Sequence, residues 1–174
     1  MTRSSAFPDG IADSHLKAGS PWKGIAVRVA LVGLVLAIAL AGLLGGAPTP
    51  ERRTENAQAA LGVHAPHPIR NGMIAEWRIM IEARAPVADA VVAIPANLWR
   101  DMTINSLLPA ADKEESKDGE FRFHFGPLER GDSLEFKIDG QLNPPHFHRE
   151  RGDVRLLDGE RELVRVPVDV KVVY

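Results

Sequence analysis

Apolar residues follow three different rules in three successive stretches of this chain. From Val29 to Ala47 it reads VALVGLVLAIALAGLLGGA, nineteen residues without a charge or a strong hydrogen-bonding side chain. At about 1.5 Å per residue such a helix reaches roughly 28 Å, close to the hydrocarbon thickness of a bilayer. A core helix of a soluble domain would show a polar stripe at every third or fourth position, and this run has none. Lys23 and Arg28 flank its start, Trp22 sits where a headgroup-depth aromatic is favoured, and Pro48 and Pro50 are expected to stop it. The pattern predicts one transmembrane helix within residues 23–47.

On either side of that block the periodicity vanishes. Residues 1–22 are rich in Ser, Gly, Pro and Asp and predict a short disordered tail. Residues 48–68, PTPERRTENAQAALGVHAPHP, predict a Pro/Ala-rich spacer, with Glu51 to Leu61 able to form a turn or two of helix.

From Ile69 to Tyr174 the period becomes two. Ala75, Trp77, Ile79, Ile81 and Ala83 alternate with Glu76, Arg78, Met80, Glu82 and Arg84, the mark of a strand with one buried face. The same alternation places strands at Phe121–Phe125, Leu134–Ile138 and Val164–Val172, with weaker signals at Ala88–Ile94, Met102–Leu108 and Val154–Leu157. Turn chemistry separates them: Asp118-Gly119, Asp158-Gly159 and Arg130-Gly131-Asp132. Pro167 inside the last strand predicts an edge position or a bulge. Seven short strands without a helical period predict an all-β domain, an immunoglobulin-like antiparallel β-sandwich, with a small open barrel as the alternative. Trp77 is its expected core plug.

Charge then gives the anchor a direction. Arg3, Lys17, Lys23 and Arg28 precede the helix, whereas Arg52 and Arg53 behind it are offset by Glu51 and Glu55, which predicts a cytoplasmic N-terminus. From Ile69 onward 15 Lys and Arg face 19 Asp and Glu, a net of −4, so neither nucleic acid nor anionic lipid is the expected partner. A cleaved signal peptide is the competing expectation; the long leader and long apolar run speak against it. The absence of cysteine excludes disulfides, thiol chemistry and cysteine-ligated metal.

Candidate chemistry is sparse. His146-Phe147-His148 sets two imidazoles on one side of an extended segment, a possible metal pair with Glu150 or Asp153, and His64 or His67, as further ligands. The plainer reading is an exposed loop. Trp99 and Arg100 form a candidate interface, with Trp99 either an exposed anchor or a cover over the sandwich end. The two Arg-Gly-Asp tripeptides, at 130–132 and 151–153, read as turn chemistry, and Asp112–Glu120 reads as a solvated hairpin tip rather than a cation loop. No nucleophile elbow, phosphate-binding glycine loop or dinucleotide fingerprint is present, so no catalytic residue and no cofactor is expected.

Phe125 to Leu142, FGPLERGDSLEFKIDGQL, resembles the step in bacterial extracytoplasmic immunoglobulin-like domains where a Gly-Asp or Gly-Glu turn precedes a late strand. The layout of short tail, single helix and small sandwich also resembles membrane-tethered respiratory-complex assembly proteins, whose copper-delivering members use cysteines that this chain lacks. The resemblance implies this architecture, with adhesion, assembly or sensing as its common uses. Taken with the anchor and its charge, the chain is expected to be a bacterial inner-membrane protein with a periplasmic or extracellular domain, serving as a non-enzymatic interaction or assembly module for another envelope protein. A periplasmic metal-handling domain built on His146 and His148 is the alternative.

Overall fold

The computed structural model describes residues 21–43, 51–143 and 149–173. Its two units are an N-terminal helical one and a β unit beginning near Ala39. Helix α1 spans Pro21–Leu40. Proline suits a first helical turn, whose N–H groups have no intrahelical partner in any case. The helix ends earlier than Pro48: Gly42 adopts φ +71° and its N–H donates to Ala39 O at 2.9 Å. Of its residues, Trp22–Leu40 are long and apolar enough to cross a membrane. Lys23 and Arg28 lie inside the helix, not before it.

Among the described residues the β unit is a two-sheet sandwich of eleven strands: β1 (Arg52–Glu55), β2 (Ala59–His64), β3 (Ile69–Arg70), β4 (Ile74–Ala83), β5 (Ala90–Pro95), β6 (Met102–Leu108), β7 (Lys113–Lys117), β8 (Glu120–His124), β9 (Ser133–Leu142), β10 (Arg149–Asp158) and β11 (Arg161–Val173). One sheet runs β1-β2-β4-β9-β6 and the other β3-β11-β10-β5-β8-β7. Every pairing is antiparallel except that of β3 with β11. The inward residues of both sheets form one core, with Trp77, Phe136, Ile79, Ile138, Leu61 and Leu156 almost wholly buried. Trp77 therefore plugs the core as its alternation predicts.

The expected spacer is corrected. Within 48–68 the chain forms β1 and β2, and β2 is an inner strand between β1 and β4 with Ala59 to Val63 buried. Strand pairing thus begins at Arg52, upstream of the expected Ile69. Strand β2 is covered on both faces: Leu61 and Val63 face the core, while the Glu51 side chain lies over Gly62 at a distance that a Cβ could not share. A strand buried on both faces loses the alternation by which strands are recognised.

The turns follow their chemistry. Asp118 and Gly119 both take positive φ, +53° and +77°, the geometry of a two-residue type I′ hairpin joining β7 to β8. The expected solvated tip is thus two residues, and Lys113–Lys117 before it is a full edge strand. Arg130-Gly131-Asp132 is a turn closed by the Asp132 carboxylate, which accepts from the Glu129 N–H at 2.9 Å. Arg151-Gly152-Asp153 is no turn; it lies within β10, Gly152 opposite Val168. Pro167 occupies β11 before that strand meets β3, where its missing N–H costs no ladder bond, and its carbonyl accepts from Arg52 Nη1 at 3.0 Å.

Candidate functional site

The two long sides of the sandwich differ. One is closed: Arg52 reaches Pro167 O, and Asn56 Nδ2 donates to Leu163 O at 2.7 Å, tying the β1–β2 edge to β11. On the other side β6 ends one sheet and β7 ends the other, and among the described residues no hydrogen bond or ion pair joins them. Between them lies a groove of about 240 Å³, lined by Met102, Ile104 and Leu107 of β6, Phe121 and Phe123 of β8, Glu114 of β7, and Trp99.

Local sequence explains each wall. Strand β6 carries a bulge: Ile104 pairs with Gly140 and Ser106 with Asp139, leaving Asn105 without a register partner. The extra residue shifts the inward positions from a spacing of two (Met102, Ile104) to three (Leu107). Gly140 leaves room for the Met102 side chain, whose Sδ sits 2.7 Å from where a Cβ would stand. On β7, Glu114 is opposite Phe123 and Ser116 opposite Phe121, so the inward positions of this edge are polar. Such inward polar groups on an edge discourage unwanted pairing.

Trp99 ends a 3-10 turn, Ala96–Trp99, seated on β10 because Gly152 has no side chain; a Cβ there would stand 3.0 Å from Pro95 Cγ and 3.4 Å from Leu98 Cγ. Its ring meets Trp77 edge-on at 6.1 Å, stacks on Phe121 at 5.6 Å and tilts against Phe123 at 5.9 Å. Trp99 is 6% exposed, so it takes the covering role rather than that of an exposed anchor. Its indole N–H is buried with no acceptor among the described residues. Arg100 projects outward and approaches Glu150 at 3.5 Å.

The proposed metal ligands do not assemble in the described residues. His146 and His148 lie outside them. Glu150 accepts from Asn97 Nδ2 at 3.1 Å, and Asp153 faces Arg165 at 3.5 Å. His67 Nδ1 donates to Asp169 O at 2.9 Å. No group of three His, Asp or Glu residues is gathered as a ligand set among the described residues.

The outer face of the second sheet carries charge over an apolar strip. Val91, Ala93 and Leu157 are buried there, with Arg122 and Arg155 opposite Ala93 on its two neighbours. Arg122 Nη1 bonds Glu160 at 2.7 Å, and Arg155 pairs with Glu120 and Glu162. Lys117 and Arg122 hold the Glu160 carboxyl at about 2, well below the ordinary range. Arg149 does the same to Asp169, also at about 2, with help from Arg151 and His67. These pairs hold neighbouring strands together.

No protein-family model matches the sequence, and no curated protein matches it significantly. Among solved structures, the chitin-binding domain of the chitinase from Pyrococcus furiosus aligns over 66% of this chain and 100% of its own in the crystal, with 15% identity and a TM-score of 0.40. Its solution structure aligns over 68% and 100%, with 18% identity and a TM-score of 0.39. The yeast delta-COP-I mu-homology domain covers 66% of this chain and 54% of its own, with 12% identity and a TM-score of 0.27. No family assignment follows from these.

Proposed function

We propose that this chain is a single-pass bacterial inner-membrane protein, N-terminus in the cytoplasm. It displays an immunoglobulin-like sandwich outside the membrane as a non-enzymatic interaction or assembly module for another envelope protein. The observation that carries the reading is the open side of the sandwich: an apolar groove beside an unpaired sheet edge, β6. Support for the anchor comes from the apolar length of α1 and the basic leader before it. A tether confines the module to the membrane surface and raises the effective concentration of membrane partners.

Co-purification of the full chain from native membranes tests the reading. Leu107→Glu places a charge on the groove wall and is expected to remove the bound partner, while Arg78→Ala, on the outer face of β4, retains it. Thermal melting of both variants separates lost binding from lost folding. Retention by a folded Leu107→Glu protein refutes the groove as the contact surface.

A further inference from the structure

Resting on that reading, we propose that β6 receives an extended segment of the partner protein as a sixth strand on the five-stranded sheet. The segment carries apolar residues at alternate positions on its groove-facing side, with one basic residue among them. Each sheet ends in two strands, β1 and β6 in one and β3 and β7 in the other, and among the described residues three of these four end strands are guarded. Strand β1 is RRTE, with Arg53 paired to Glu82 at 2.6 Å; β3 is two residues long; β7 is KEESK. Charge and shortness are the usual protections of an edge. Strand β6, MTINSLL, has seven residues and no charge. A strand presents half of its backbone N–H and C=O groups to each side, so on the order of seven such groups face away from β9.

The inward face of an added strand would lie over the groove beside β6 and opposite β7. Apolar side chains at alternate positions meet Met102, Ile104, Leu107 and the aromatic floor of Trp99, Phe121 and Phe123. The basic residue answers Glu114, an exposed carboxylate on the groove wall that makes no ion pair or side-chain hydrogen bond among the described residues. A second copy of this chain fits less well, because its own β6 brings no cation to Glu114. Backbone pairing would supply affinity, and alternate side chains specificity, as in other strand-addition complexes.

The test uses the full chain in nanodiscs and three synthetic nine-residue peptides. Each has valine at odd and threonine at even positions; one has lysine in place of the central valine, one glutamate, and one is the lysine peptide N-methylated at alternate amides. The lysine peptide is expected to bind about tenfold more tightly than the glutamate peptide, a preference that Glu114→Gln reduces to about twofold. The N-methylated peptide is expected not to bind, and amide hydrogen exchange to slow in β6 on binding of the lysine peptide. Equal binding of the N-methylated peptide overturns strand addition. An unchanged preference in Glu114→Gln overturns the basic residue. Self-association through β6 assigns the edge to a second copy instead. Failure of all peptides, while Leu107→Glu still releases the native partner, overturns strand addition and leaves the interaction module standing.

Discussion

Trp99 meets Trp77 edge-on, ring centroids 6.1 Å apart and planes at 87°, so the floor of the groove and the centre of the sandwich are one aromatic cluster. Trp99→Ala is accordingly a core deletion. It should cost about 3–5 kcal/mol, read as a lowered urea midpoint with loss of near-UV circular dichroism. For that reason Trp99→Ala cannot report on partner binding by itself. Glu114, an exposed carboxylate on the groove wall, is the residue whose substitution separates binding from folding.

Two glycines should respond differently to alanine. At Gly152 the new Cβ meets Pro95 and Leu98 of the turn that seats Trp99, so Gly152→Ala should destabilise by about 1–3 kcal/mol. At Gly140 the obstructing atoms are the flexible end of Met102. Gly140→Ala should therefore cost about 1 kcal/mol or less while moving Met102 and weakening peptide binding at the groove. Urea titration beside peptide affinity distinguishes the two.

Acid should weaken the sandwich through Asp169 and Glu160, both held at about 2 by cationic neighbours. A carboxyl depressed in the folded state stabilises it fully above its unfolded value, near 4, and that contribution is lost as pH falls through 2. The melting temperature should therefore drop between about pH 4 and pH 2. Asp169→Asn, which removes the Arg149 and Arg151 pairs, should lower stability at neutral pH and flatten this acid limb. An unaltered limb contradicts the role of Asp169.

Because the chain has no cysteine, one introduced thiol reports its side of the membrane without background. In bacterial spheroplasts expressing the full chain, Asp118→Cys, at the exposed β7–β8 turn, should react with a membrane-impermeant maleimide. Ser4→Cys should react only after the membrane is opened. The reverse pattern inverts the topology, and a mature chain starting beyond residue 47 replaces the anchor with a cleaved signal.

Alternation made the half-buried strands legible. Trp77, Ile79 and Ile81 of β4, and Phe136 and Ile138 of β9, stand on the core face at the spacing their sequence gives. Where both faces of a strand are covered, as at Ala59–Val63, or a bulge intervenes, as at Asn105, that signal fails. The groove was illegible for a related reason. Glu114 and Ser116 look like loop residues, and only their register against Phe123 and Phe121 turns them inward. Trp99 was visible as an unusual aromatic, but its burial depends on Gly152, more than fifty residues away.

Site-directed crosslinking from β6 reads out what pairs with that strand in the membrane. The full chain carrying Asn105→Cys, labelled with a benzophenone maleimide, is irradiated in native membranes beside an Arg78→Cys control on the outer face of β4. A discrete heterologous adduct is expected from position 105, attached to an extended segment with alternate apolar residues, and none from position 78. An adduct from position 78 alone, from neither position, or only with a second copy of this chain contradicts pairing of a partner segment with β6.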